Sequence, residues 1–363
     1  MNTFKTKDGP ETLIHHRDSD LVVPIDDSVR LREAPHLAYT AGRKEFMMTS
    51  QRMAVWMAAV MLLSIAPGFS QNQSGESVGQ AVVTVLPKHD GELPPSVVNQ
   101  DLSVKVNGKN AKVTKWAPIK SPEDKVELVL LIDNSARTSL GRQFEDIARF
   151  IKSLPPNTKA AIAYMENGRA TFAAPLSADH AQVLSALHLP GGGTGTDASP
   201  YFSLSDLAKS WPSQDREARR EVVMVTDGVD NYNRRFDPED PYVQAAITDA
   251  VRARVVVYSI YWQNQGRADQ SVYASNAGQN LLVEVADATG GRSFWQGTGN
   301  PVSFEPYFEE LSRRLRNQYE LGFTSVAGGK PEVESFKLKL SAPGTEVDAP
   351  QQVLVTCTEG QRF

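Results

Sequence analysis

The stretch that most limits what this chain can become is Val126 to Arg142, VELVLLIDNSARTSLGR. An apolar run of strand length ends on a carboxylate, breaks at once into Asn, Ser and Thr, and passes into a helical pattern. A strand apolar on both faces has to be covered on both sides, as strands inside mostly parallel sheets are. Glu221 to Asp227 (EVVMVTD) and Val255 to Ile260 (VVVYSI) have the same texture. Helical stripes lie between these runs. Leu140, Phe144, Ile147, Ala148, Ile151 and Leu154 recur at helical spacing until Pro155-Pro156 stops the helix.

Lys159 to Met165 (KAAIAYM) and Gly168 to Ala174 (GRATFAA) flank a tight Glu166-Asn167-Gly168 turn, which predicts an antiparallel edge hairpin. Further helices are expected over Ala178 to Leu187, up to about Trp211, over Pro241 to Arg254, and over Leu281 to Thr289, ending at Gly290-Gly291. Arg292 to Trp295 reads as a short strand, and Phe304 to Gln318 as a last helix with Pro306 in its first turn. The alternation predicts an α/β, doubly wound, mostly parallel sheet with one antiparallel edge strand.

Outside this region the pattern is β. Ala81 to Leu86 (AVVTVL) is a strand, and Asp101 to Trp116 is a hairpin around Asn107-Gly108, a preferred pair for a two-residue turn. That turn sets Val104 opposite Ala111 and Leu102 opposite Val113, leaving Lys105, Lys112 and Lys115 to solvent. Tyr319 to Thr324, Phe336 to Leu340 and Val353 to Cys357 alternate apolar and polar residues. The N- and C-terminal strands together are expected to form a small β-sandwich, with the α/β domain inserted between them.

Met53 to Ala66 (MAVWMAAVMLLSIA) follows Arg52 and precedes small residues at Gly68 and Ser70, the pattern of a secretory signal cleaved after Ser70. It is shorter than the roughly twenty residues a membrane span needs. The expected division is therefore a polar extension (1–46), a signal peptide or membrane anchor (47–70), a linker (71–80), a β-rich segment (81–120), the α/β domain (124–318) and a C-terminal β segment packing on the first (319–363). Translation is expected to begin at Met47, Met48 or Met53; the alternative is a cytosolic tail on an anchored protein. Either way the chain is expected outside the cytoplasm, secreted or in the periplasm or cell envelope. Any membrane contact would come only through an uncleaved anchor.

The net charge of −5, without a basic run, argues against a nucleic-acid partner. Cys357 is the only cysteine, which excludes an internal disulfide and a cysteine-based zinc site. The Gly191 to Thr196 loop lacks the Gly-Lys-Ser/Thr of a phosphate-binding loop, so its glycines are read as allowing close approach to the Asp133 loop. Asp133-Asn134-Ser135 lacks the second carboxylate of an aspartyl-phosphate enzyme, and no Ser/His/Asp set can be assembled. His188 is expected on the surface.

Asp133 with Ser135, Thr194, and Asp227 are oxygen donors at strand ends or helix starts. Without His or Cys they suit Mg²⁺, Mn²⁺ or Ca²⁺. DNSAR at Asp133 to Arg137, GGGT ending at Thr194 and VTDG around Asp227 together resemble the von Willebrand factor A domain, over roughly Val126 to Gln318. With the DLSVKVNGK and YELGF segments, the exported portion is similar to the bacterial secreted proteins related to that family. The resemblance implies a vWA/Rossmann-like fold and a metal-ion-dependent adhesion site. In it Ser135 and Thr194 would touch Mg²⁺ or Mn²⁺, Asp133 and Asp227 would bind directly or through water, and a partner protein's carboxylate would complete the shell.

Arg137 departs from the pattern, standing where the family places a second serine. A guanidinium has no lone pair to give a cation. Either the site is degenerate, with the remaining donors holding the ion, or Arg137 pairs with Asp133 or Asp227 as an internal counter-charge. Asn134, Arg137, Thr138, Thr196, Asp230 and Asn231 are the expected binding rim, with Tyr232 in the same loop and Tyr261 and Trp262 as either rim contacts or core lids. The function this implies is binding of a protein partner rather than catalysis. A structural envelope component with an inert rim and a divalent-metal hydrolase using Asp133 and Asp227 are the competing classes.

Overall fold

The computed structural model describes residues 76–89, 96–120, 123–192, 199–233, 237, 239–264, 271–297, 299–326 and 330–357. In chain order, three strands come first: β1 (Glu76–Pro87), β2 (Leu102–Val106) and β3 (Lys109–Pro118). The α/β portion follows with β4 (Val126–Asp133), α1 (Phe144–Ser153), β5 (Thr158–Glu166), β6 (Arg169–Ser177), α2 (His180–Ser185) and α3 (Pro200–Lys209). It continues with β7 (Arg219–Thr226), α4 (Pro241–Arg252), β8 (Val255–Tyr261), α5 (Val272–Thr289), β9 (Ser293–Phe294) and α6 (Glu305–Leu315). The chain then returns to strands β10 (Gln318–Val326), β11 (Glu332–Leu340), β12 (Thr345–Asp348) and β13 (Gln352–Cys357).

The α/β sheet has the order β6-β5-β4-β7-β8-β9, parallel except for β6, as the sequence predicts. All eight residues of β4 are buried. Leu128, Leu130 and Ile132 face one side, packed with residues of α1, α2 and α6. Val129 and Leu131 face the other, with α3, α4 and α5. Each fully buried aliphatic side chain of this kind contributes roughly 1.5–3 kcal/mol. From β4 the chain moves outward to β5 and β6, then returns to place β7 on β4's other side. That reversal opens a crevice at the strands' carboxyl ends, where such folds bind ligands.

The flanking strands do not form the expected sandwich. They close into an antiparallel barrel, β1-β10-β3-β2-β11-β13 and back to β1, with β12 added alongside the end of β1. Closure follows from interleaving: β10 lies between β1 and β3, β2 pairs with β11 and β13 with β1, so four of the ring's six pairings join an N-terminal strand to a C-terminal one. A closed ring leaves no unpaired edge, which two small facing sheets would. Val83, Val85, Val104, Val106, Leu321, Phe323, Val353 and Val355 fill it. Next to the turn the hairpin register is as expected, with Val104 opposite Ala111 and Asn107 and Gly108 both at positive φ, while the expected Leu102–Val113 pair is not among the β2–β3 pairs.

Other differences are local. Glu76 to Gln80, expected as linker, belong to β1 and pair with β10. Helix α5 begins at Val272 rather than Leu281, because small residues such as Ser275 and Gly278 supply its first buried turns in place of an apolar stripe. Strand β12 went unpredicted, being four residues with no buried position. The expected signal segment, Met53 to Ala66, lies outside the described residues. Among the described residues no helix is long and apolar enough to cross a membrane.

Candidate functional site

Asp133 ends β4 and Asp227 follows β7 directly, so strand pairing brings the two carboxylates to the crevice between these neighbours. Both are buried, at 8% and 0% exposure. Asp133 Oδ1 accepts hydrogen bonds from the Ser135 backbone N–H (2.9 Å) and the Ser135 hydroxyl (2.5 Å). Its Oδ2 accepts from the Thr226 hydroxyl at 2.7 Å. Asp227 Oδ1 accepts from the Val229 N–H at 3.0 Å.

The group between the carboxylates is Asn264, 1% exposed and not singled out in the sequence. Its amide Nδ2 lies 3.1 Å from Asp133 Oδ2 and 3.1 Å from Asp227 Oδ1, donating one hydrogen to each. Asn264 is held by an antiparallel bridge to Ala136 and by the Arg137 N–H donating to the Gln263 carbonyl at 3.0 Å. With Asn264 in place, Asp133 accepts four hydrogen bonds, about the full capacity of a carboxylate.

Arg137 does not take the counter-charge role. Its side chain is exposed, and its Nε donates to the Asn264 carbonyl at 3.3 Å, outside the carboxylate pair. Ser135 is placed beside Asp133, Thr194 lies outside the described residues, and a neutral amide donor spans the space between Asp133 and Asp227. The residues described do not fit Mg²⁺ or Mn²⁺ as they stand, because an N–H pair aimed at both carboxylates repels a cation placed between them.

The expected rim divides. Arg137 and Thr138 are exposed, whereas Asn134 and Asp230 are buried and Asn231 is half-buried. Asn134 clamps two loops together: its Oδ1 accepts from the Gly191 N–H (2.6 Å), its carbonyl from the Gly192 N–H (2.9 Å), and its Nδ2 donates to Glu166 (2.9 Å). This is the close loop approach expected of the glycines. Asp230 is 2% exposed and its Oδ1 accepts from the Tyr232 and Asn233 N–H groups, shaping the loop. Burial pushes its carboxyl up, against the pull of those N–H groups. Half-buried Asn231 joins Asp133, Ser135, Ser199 and Ser203 in lining a cavity of about 10 Å³, room for roughly one water. Thr196 lies outside the described residues.

Tyr261 and Trp262 belong to the core, at 0% and 2% exposure, with Trp262 Nε1 donating to the Arg137 carbonyl at 3.3 Å. The aromatic surface is elsewhere. Tyr232 (51% exposed) and Tyr242 (40%) pack with Phe202, ring centroids 5.0 to 5.3 Å apart. Tyr232 was visible in the sequence as part of a polar loop, but its partners on α3 and α4 were not. His188 is exposed, as expected, and stacks on Tyr164 at 4.0 Å between centroids.

The strand order, the single antiparallel edge and the Asp133 and Asp227 loops at the switch point make this a von Willebrand factor A-like fold. Among solved structures, the chain is similar to an aerotolerance-related membrane protein from Bacteroides fragilis, at 16% identity and TM-score 0.37, covering 52% of this chain and 98% of that one. It is also similar to the SpRpn10 VWA domain, at 13% identity and TM-score 0.34, covering 48% and 92%. A third similarity is to the pilus adhesin SpaC from Lactobacillus rhamnosus GG, at 12% identity and TM-score 0.40, covering 75% and 49%. No family model matches the chain. No curated protein matches it either.

Proposed function

We propose that the chain is an exported protein-binding module of the von Willebrand factor A type, acting outside the cell or in the cell envelope. Its binding face is the rim formed by the loops after β4 and β7. The observation that carries this is the exposed group at the crevice end. Arg137 and Thr138 stand in the first loop, and Tyr232 in the second is backed by Tyr242 and Phe202. Aromatic and arginine side chains supply most of the energy at protein interfaces, and a rigid scaffold beneath them limits the entropy lost on binding.

The test compares proteins retained by the immobilised wild-type chain with those retained by a Tyr232→Ala/Arg137→Glu variant and by a barrel variant, Lys105→Glu. The rim variant should lose a partner that the barrel variant keeps. Equal recovery by all three would favour a structural envelope component with an inert rim.

A further inference from the structure

We infer that the Asn264 side-chain amide takes the place of the divalent cation in this fold, so that the crevice is held together without an ion. The geometry alone carries the inference, whatever the rim binds. Two carboxylates buried side by side repel each other unless something positive or hydrogen-donating lies between them. Related folds, by the resemblance above, use a cation. Here both hydrogens of one amide nitrogen are used, at 3.1 Å each, from a residue 1% exposed.

The orientation of that amide is dictated by its surroundings. Turned over, Asn264 Oδ1 would face two carboxylate oxygens with no proton between. In the orientation observed, Oδ1 is buried with no hydrogen-bond partner among the described residues. Leaving a buried acceptor unsatisfied is costly. It is tolerated because the other end of the amide satisfies two charged groups, and bonds to charged groups are the stronger kind.

The loop chemistry agrees. Arg137, which stands where the resemblance implies a second serine, turns its Nε to the Asn264 carbonyl, and its N–H holds the preceding residue, Gln263. Arg137 thus helps to seat the residue whose amide lies between the two carboxylates. Partner recognition at such a rim would be indifferent to chelators.

The test is thermal melting of the full chain in EDTA and in millimolar Mg²⁺ or Mn²⁺, for wild type, Asn264→Ala and Asn264→Asp. An ion that binds only the native state raises Tm by mass action. Wild type should melt within about 1 °C in all three conditions, whereas a site occupied at a hundred times its Kd would move Tm by several degrees. Asn264→Asp removes the bridging donor and adds a third carboxylate. It should melt several degrees lower in EDTA and recover with Mn²⁺ or Mg²⁺. A clear ion-dependent rise in wild type would overturn the inference. So would variants that match wild type in EDTA and ignore both ions. Should neither variant fold, an isothermal titration of Mn²⁺ into wild type decides: no heat of binding supports the inference, and a one-site isotherm overturns it.

Discussion

At the scale of single residues, position in the sheet determines what a charged side chain does. Asp133 and Asp227 sit at the carboxyl ends of strands and receive donors from loops. Glu221 lies on β7 near its amino end and is fully buried. Arg219 Nε stands 3.1 Å from one of its carboxylate oxygens, and the Tyr258 hydroxyl nearby accepts from Gln318 Nε2 at 3.0 Å. Burial pushes the Glu221 carboxyl up to about 7, with the Arg219 charge pulling the other way. The native state therefore holds a proton that the unfolded chain has released between about pH 4.5 and 7. Stability contributed by that proton is present at low pH and lost as pH rises through this window, by up to about 3 kcal/mol. Urea melts at pH 5 and pH 8 should show the fall in wild type and a flatter profile in Glu221→Gln. Parallel profiles would refute the assignment.

At the scale of elements, the Asp227 loop is positioned by contact with helix α5. Gly228 adopts φ +70°, and a Cβ on Gly278 would lie 2.3 Å from the Asp227 carbonyl oxygen. Glycine inside a helix costs about 1 kcal/mol relative to alanine, so on propensity alone Gly278→Ala should stabilise α5. The clash is with backbone, which cannot swing aside, and overpacking of this kind costs about 1–3 kcal/mol. The clash should win. A lower Tm for Gly278→Ala is expected, and a rise would show that the loop has room to move. The same contact explains why the start of α5 escaped the sequence reading. Its first turns are buried through smallness and polar pairing, which hydrophobic periodicity does not register.

At the scale of the whole molecule, β1 serves two cores. Val83 and Val85 point into the barrel, while Val82 packs against the α/β core that includes Phe308 and Leu311 of α6. The Val85 N–H also donates to the Asn317 carbonyl just after α6, and Arg314 of α6 is paired with Asp348 of β12. A chain beginning at Lys88 would leave β10 and β13 with open edges and uncover both cores. It should bind a hydrophobic dye strongly and aggregate, since unpaired strand edges template association. A soluble fragment melting like the full chain would show that the α/β portion needs no barrel.

The parts legible in the sequence are those that depend on neighbours along the chain. The buried strand from Val126 to Asp133, the α/β alternation, the edge hairpin at Asn167-Gly168 and the Asn107-Gly108 turn all follow from periodicity and local backbone preference. So does the placing of Asp133 and Asp227 at strand ends. The remaining features depend on residues far apart along the chain. The closure of six strands into a barrel requires N-terminal strands to pair with strands more than two hundred residues later, as Ser77 does with Ser325. The filling of the crevice depends on Asn264, 131 residues from one carboxylate and 37 from the other. No local pattern marks an asparagine as a bridge between two charges; only the packing that brings its amide to both makes it one.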